Sequence, residues 1–551
     1  METDADVAGR ARAWLAQDPD PDTRGELAAL LRDGDTAALR ERFDGRLEFG
    51  TAGLRGPLGA GPLRMNRVTV MRAAAGLCGW LRARPRPGRT IVIGYDARHK
   101  SRDFARDTAA VASGAGLRAL LLPGPLPTPV LAYAIRRLGA DAGVVVTASH
   151  NPPRDNGYKV YVGDGAQIIP PVDAEISAAI DAVGPVNELP LGDDWQVLGE
   201  EVRTAYLAAL AGLPIGDARD VAVAYTPLHG VGRDTALAAF ARTGFPAPAV
   251  VPEQAEPDPD FPTVAFPNPE EPGAMDLALD LGKRTRADIV IANDPDADRC
   301  AVAVPGDAGG RRLTGDETGG LLAEHVLAHT SGADRLVATT IVSSSLLSRI
   351  AEAHGVRYAE TLTGFKWLAR AGDGAGRAVY AYEEALGYCV GGDAGPPVRD
   401  KDGIGAALVV AGMAAAARRD GRTLLDLLDD QARRYGVHAT RQLSVRVADL
   451  SLIAAAMRRL RATPPDAFGD LRVERADDLA AGFGELPPSD VLRYRLESGA
   501  RVVVRPSGTE PKLKAYLEVV EPVTDEVASA RDAAETRLDA LAAAVKRTLG
   551  L

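Results

Sequence analysis

"RTIVIGYDARHKS", residues 89–101, is an apolar strand that runs into a polar loop. "RDFARDTAAVASGAG" follows as a helix that stops at glycine, and "LRALLL" (117–122) is a second strand. The same order returns in "DVAVAYTPLHGVG" (220–232), "RDTALAAFARTGF" and "PAPAVV", and again in "DRLVATTIVSSS" (334–345), "LLSRIAEAHG" and "VRYAETLTG". Three strand–loop–helix–strand units predict three related α/β domains on mainly parallel sheets. In such sheets the loops beyond the carboxyl ends of the strands carry the ligands.

The flanks differ. Residues 1–48 predict short amphipathic helices broken at "DPDPD" and "DGD". The tail, with "TRQLSVRVADL" (440–450) and "VLRYRLESGARVVVRPSGTEPKLKAYLEVV" (491–520), predicts an antiparallel sheet packed by helices. Its closing helix, near 524–549, has Val527, Leu538, Leu541, Val545 and Leu549 at core-facing spacing. Junctions near 205, 325 and 440 give domains 1–205, 206–325, 326–440 and 441–551.

At 551 residues the chain exceeds what one core supports. The 75 acidic residues outnumber the 64 basic ones, for a formal charge of −11, which argues against a general nucleic-acid binder. An anionic substrate can still enter a locally basic cleft. Three widely spaced cysteines (Cys78, Cys300, Cys389) suit a reducing cytoplasm rather than a disulfide scaffold. The N-terminus lacks a signal-peptide pattern and no apolar run approaches the roughly 20 residues of a membrane span.

"ADIVIANDPDADR" (287–299) ends a β-branched run in Asp294, Asp296 and Asp298. Residues two apart on an extended loop point the same way, so three carboxylates can converge on one cation. Unrelieved, they would raise each other's proton affinity. All-oxygen ligands favour magnesium over zinc; a solvated acidic turn and a partial calcium loop stand as alternatives. "RVVVRPSGTEPK" (501–512) brings Arg505, Ser507, Gly508 and Thr509 into a turn suited to a phosphate, or to a plain Pro-Ser-Gly turn.

"TASHNP" (147–152) ends another apolar strand with Ser149 beside His150. On an extended segment the two side chains diverge, and no G-x-S-x-G elbow is present, which argues against a hydrolase. Ser149 is instead a candidate for phosphorylation, its phosphoryl oxygen completing the metal shell. The competing reading is that Ser149 and Asn151 cap a turn. "RDNGYKVY" supplies Lys159, a proton carrier if neighbouring cations destabilise its ammonium, or a surface lysine at a strand start. "FGTAGLRG" places Arg55 after a glycine-rich bend. "TLTGFKW" (361–367) offers Thr363, Gly364 and Lys366, and "YEEALGY" (382–388) offers Glu383 and Glu384 for sugar hydroxyls or as an acidic helix start. "VRDKDG" adds Arg399 and Lys401.

In this order the loops resemble the α-D-phosphohexomutase superfamily, the phosphoglucomutase and phosphomannomutase enzymes, over residues 47–520. "FGTAGLR", "TLTGFKW" and "EEALGY" are most similar to the branch with the second type of phosphoglucomutase, phosphopentomutase and glucose-1,6-bisphosphate synthase. The resemblance implies four domains around a central cleft, the fourth an α+β domain of TATA-binding-protein-like fold. It implies a phosphoserine at Ser149 and a catalytic His150 beside it, with Ser149, Asp294, Asp296 and Asp298 binding Mg²⁺. Lys159 would be general acid/base, and Arg55 and Arg299 would contact the transferring phosphate. Thr363, Gly364, Lys366, Glu383, Arg399 and Lys401 would meet the sugar, and Arg505, Ser507, Gly508 and Thr509 the distal phosphate.

The implied reaction is a reversible phosphate shift from glucose 1-phosphate to glucose 6-phosphate, with glucose 1,6-bisphosphate as intermediate and activator. Phosphomannomutase, phosphopentomutase, glucose-1,6-bisphosphate synthase and a non-catalytic sugar-phosphate sensor are the alternatives. Many glucose and mannose mutases carry serine two residues after the sugar-binding glutamate; here Ala385 stands there, which leaves the sugar open. The expected partners are sugar phosphates, with no nucleic acid or membrane, for a cytoplasmic monomer or dimer. The fourth domain is expected to act as a lid hinged near 440.

Overall fold

The computed structural model describes residues 4–49, 53–85, 89–306, 309–446, 450–507 and 512–550. Each of the three repeated units places its first strand between the second and the third, all parallel. A fourth strand then returns antiparallel beside the third. The strands are Thr90–Tyr95, Arg118–Leu121, Ala142–Val146 and Asp155–Val162 in the first unit. They are Val223–Thr226, Ala249–Val250, Ile289–Ala292 and Ala301–Val304 in the second. In the third they are Arg335–Thr340, Arg357–Thr361, Arg377–Glu383 and Gly387–Val390. The antiparallel return makes the sheets mixed.

One consequence governs the site. "TASHNP", "DPDADR" and "EEALG" all occupy the same place in their units, the connection from third to fourth strand. These third strands (AGVVV, IVIA and RAVYAYE) are buried along most or all of their length, as sheets covered on both faces require. Their polar residues therefore emerge only where the strands end.

The N-terminal residues form helices Asp4–Gln17, Pro21–Asp33 and Thr36–Phe43. Asp20 caps the second helix, with Pro21 in its first turn and Gly34 closing it in the left-handed region. Trp14, Leu27, Leu39 and Phe43 pack with Val68 and Met71 of helix Arg67–Arg82, fastening the extension to the first domain.

The fourth domain is a six-stranded antiparallel sheet whose long strands include Val437–Arg446, Lys512–Glu521 and Arg501–Pro506. Helices Leu450–Ala462 and Val527–Leu549 supply core side chains such as Met457, Leu541 and Val545 to one sheet face. All five expected stripe residues of the last helix are buried. The opposite face, with Val503 and Tyr516, packs on Ile341, Val342 and Leu362 of the third domain.

Helix Gly315–Ala328 runs across the expected junction at 325 and packs on the third sheet, so that junction falls earlier, after strand Arg311–Arg312. The junction near 440 falls inside strand Val437–Arg446, and the turn at Gly436 precedes it.

Candidate active site

Ser149 leaves its strand in the left-handed region, at φ 52°. Its Oγ donates to Asp294 Oδ2 at 2.5 Å, a contact between the first and second domains. The same Oγ lies 3.2 Å from His150 Nδ1. This corrects the sequence expectation of diverging side chains: a positive φ at Ser149 breaks the extended run and folds the two together. The Ser149 amide donates to Thr147 Oγ1 at 2.8 Å, which closes the turn.

Asp294, Asp296 and Asp298 are fully buried, and oxygens from all three lie within 4.8 Å of one another. The loop is held from below, where Tyr225 donates to Asn293 Oδ1 at 2.8 Å and Asn293 donates to the Arg299 carbonyl at 2.6 Å. Burial, then the charges of Asp296 and Asp298, push the Asp294 carboxyl well above the usual range. Asp296 and Asp298 go the other way. Burial opposes their charge too, but Lys159 outweighs it and both are held below the ordinary value, with Lys401 adding to the effect on Asp298.

Lys159 Nζ donates to Asp296 Oδ2 at 2.7 Å and to Asp298 Oδ2 at 2.8 Å. Burial works against its charge, but those two carboxylates hold its ammonium above the ordinary range. The expected depression by neighbouring cations is therefore reversed. The lysine's nearest neighbours are acids that the sequence spaces more than 130 residues away.

Asp296 Oδ1 and Asp298 Oδ1 are buried with no hydrogen-bond partner. Orphaned carboxylate oxygens in one cluster are costly unless something positive meets them. Three hard oxygen donors without histidine or cysteine fit magnesium.

Lys401 Nζ lies 3.4 Å from Asp298 Oδ2 and 4.0 Å from Glu383 Oε1, so it joins the acidic loop to the loop of the third domain. Backbone stitches the same loops together: Arg299 bridges Gly387 and the Cys300 amide donates to the Leu386 carbonyl at 3.1 Å. A Cβ on Gly387 would come within 2.4 Å of the Lys401 stem, so glycine keeps the lysine in place. "EEALG" is thus a hairpin turn, with Leu386 at φ 63°, and not a helix start.

Four family models match the chain in succession. Residues 46–186, 205–309 and 314–435 match alpha/beta/alpha domains I, II and III of phosphoglucomutase/phosphomannomutase, and 443–534 match its C-terminal domain. The chain belongs to the α-D-phosphohexomutase superfamily. It is 45% identical to a probable phosphomannomutase of Haemophilus influenzae, over 82% of this chain and 93% of that one. It is 34% identical to the phosphopentomutase of Mus musculus, over 94% and 91%. A crystal structure of a putative phosphomannomutase from Thermus thermophilus superposes with TM-score 0.67 at 25% identity, covering 90% of this chain and 99% of that one. The relatives are phosphomutases, isomerases of the phosphotransferase type, and so is this family member.

Within this mutase the structure brings Ser149, His150, Lys159, the three aspartates, Arg299, Lys401 and Glu383 together. Arg55 joins through Asn151, to whose Oδ1 it donates at 3.3 Å. Arg299 Nε is 4.0 Å from both Asp294 and Asp298, and its Nη1 is 3.5 Å from Glu270. Thr363 and Gly364 precede helix Phe365–Leu368, and the Phe365 ring lies 5.6 Å from Lys401 Nζ. Burial lowers the Lys366 ammonium.

Arg399 is engaged elsewhere, donating to both oxygens of Asp373 at 2.8 and 2.9 Å and to the Ala369 carbonyl at 2.7 Å. Arg505 lies in strand Arg501–Pro506 of the fourth domain and Ser507 follows that strand, while Gly508 and Thr509 lie outside the described residues.

Two contributors escaped the sequence. Thr128 donates its hydroxyl to Asp296 Oδ2 at 2.6 Å and its amide to the Asp296 carbonyl at 2.9 Å. Arg98 holds the Ser149 loop from behind. No local pattern marks either residue, although the loop carrying Arg98 was visible as part of the repeated unit. The three cysteines are free and buried, and no helix among the described residues is long and apolar enough to cross a membrane.

Proposed function

We propose that this chain shifts phosphate reversibly between positions 1 and 6 of a hexose, glucose 1-phosphate first, through phospho-Ser149 and a bisphosphate intermediate. The observation that carries this is the Ser149 Oγ, 2.5 Å from Asp294 in a cluster of three buried carboxylates. Phosphoryl transfer is mainly positioning and charge neutralisation.

In this reading the bond from phosphorus to Ser149 Oγ breaks while one to the free sugar hydroxyl forms, and that hydroxyl releases its proton. The bisphosphate turns over, and its other phosphate returns to Ser149. Asp294, Asp296 and Asp298 would hold Mg²⁺, which when bound neutralises charge on the transferring phosphoryl group. Arg55 and Arg299 would bind that phosphate from the protein side. Lys159, its ammonium held charged by two carboxylates of the cluster, would relay that proton, taking it up as one of its own passes to a paired carboxylate. Glu383 and Lys401 would orient the sugar, with Thr363, Gly364 and Lys366 beside them. Arg505 and Ser507, continuing into Gly508 and Thr509, would clamp the distal phosphate.

A second reading, mutation of a pentose phosphate, draws support from Ala385 and from the likeness to the Mus musculus phosphopentomutase. A panel of sugar 1-phosphates compared by kcat/KM separates the two. Ser149→Ala tests the core claim: turnover of glucose 1-phosphate with glucose 1,6-bisphosphate should fall by at least about 1,000-fold, since in this reading the Ser149 hydroxyl is the group that accepts the phosphoryl. A rate near that of the native protein would defeat it.

A further inference from the structure

The loop after the first strand of each unit lies under the loop after its third. In the first domain the Arg98 guanidinium donates to four carbonyls of the serine loop. Its Nη2 reaches those of Ser149 and Asn151, both at 2.6 Å, and its Nη1 reaches those of Pro152 at 2.8 Å and Asp155 at 3.1 Å. In the second, the Val231 amide donates to the Pro295 carbonyl at 2.9 Å, inside the acidic loop. In the third, Ser343 Oγ donates to Glu384 Oε2 at 3.2 Å and accepts from the Glu384 amide at 3.2 Å.

Arg98 is the most committed of these supports. It is 4% exposed, with its Nε 3.5 Å from Asp96, which also accepts from the Arg98 amide at 3.0 Å and from Ser101 Oγ at 2.7 Å. The Phe261 ring of the second domain covers the guanidinium at 4.9 Å. Ser149 at φ 52° is in a conformation that non-glycine residues hold only when their surroundings enforce it. All four Nη hydrogens have carbonyl acceptors on that loop, a match that a planar fork makes and an ammonium cannot.

We propose that Arg98 is the positioning residue of this mutase, holding the loop so that Ser149 Oγ points at the acidic cluster. Its guanidinium hydrogen bonds go to the loop's carbonyls and not to the three aspartates. The inference rests on the proposed role of Ser149 as phosphoryl carrier.

The test compares Arg98→Lys and Arg98→Met with Arg89→Met, a buried arginine of the same domain whose partners are the Arg84 carbonyl and Asp141. Misplacing a nucleophile by about 1 Å costs about 100-fold. Both Arg98 variants should lose about that much in kcat, with KM changed less than about threefold and slower phosphorylation of Ser149 by the bisphosphate, followed by intact mass. Arg89→Met should lower the melting temperature and keep kcat within about twofold.

An Arg98→Lys protein that is folded and within about threefold of native kcat overturns the proposal, as does a loss no greater than the unfolded fraction explains. Should neither Arg98 variant fold, Asp96→Asn decides, because it keeps the bulk and loosens the guanidinium: native kcat there overturns the proposal, and a selective fall in kcat supports it. Absence of sugar-phosphate turnover in the native protein would instead strike the functional reading itself.

Discussion

Glu384 shows how far burial and neighbouring acids together can move one side chain. Its carboxyl is pushed up to about 7, first by burial and then by Glu383 and Asp316, while the hydroxyls of Thr340 and Ser343 approach only to 3.3 and 3.2 Å. The folded protein therefore binds a proton that the unfolded chain gives up near 4.5. Stability from this group is present below that value and is lost as pH rises through about 7, a change of about 3 kcal/mol. Glu384→Gln, which keeps the shape and cannot ionise, should flatten the fall in melting temperature between about pH 5 and pH 8. Equal slopes in the two proteins would remove Glu384 from that linkage.

At the same scale, the aspartate triplet was legible because its three members share one loop. Thr128, 168 residues from Asp296, and Arg98, 51 residues from Ser149, were not, because only the folded chain makes them neighbours. The Ser149–His150 contact was hidden for another reason, since nothing local announces a positive φ at a serine.

At the scale of elements, the repeated strand–loop–helix–strand order was visible as a change of apolar period, and it placed the chemistry at strand ends. What it did not show is the antiparallel fourth strand, which turns each chemical loop into a hairpin connection supported by the preceding loop. In the second domain the fit is close enough to test. A Cβ on Gly230 would stand 2.3 Å from Pro295 Cα, a backbone atom between two of the proposed metal ligands. Gly230→Ala must shift the acidic loop, so Mg²⁺ affinity should weaken about 10- to 100-fold, as loss of support around metal ligands usually does. Calorimetric titration with Mg²⁺ gives the constant; unchanged affinity in a folded variant would mean that the loop positions its carboxylates without that contact.

At the scale of the molecule, the fourth domain is fastened to the third by more than apolar area. Glu518, on its sheet, accepts from Ser344 Oγ at 2.7 Å and the Ser345 amide at 2.8 Å across the boundary, and pairs with Arg501 at 2.8 Å. Arg501 in turn donates to the carbonyls of Ile341 and Ser343. Ser343 is the residue that supports Glu384, so one short loop touches both the proposed sugar site and the strand leading to the proposed phosphate clamp. Burial works against the charge of Glu518, but Arg501, then His438 and Ser344, outweigh it and pull its carboxyl down to about 2. That stability is present above the ordinary value near 4.5 and is lost as pH falls toward 2. Glu518→Gln leaves Arg501 buried with its main counter-charge gone, at a cost of about 3 kcal/mol. The variant should melt earlier at neutral pH and show a shallower loss of stability on acidification. If the fourth domain carries the distal phosphate clamp, its KM for the sugar phosphate should rise while phosphorylation of Ser149 by the bisphosphate stays possible at saturation. A variant with native melting and native KM would show that apolar packing of Val503 and Tyr516 on Ile341 and Val342 suffices to seat the domain.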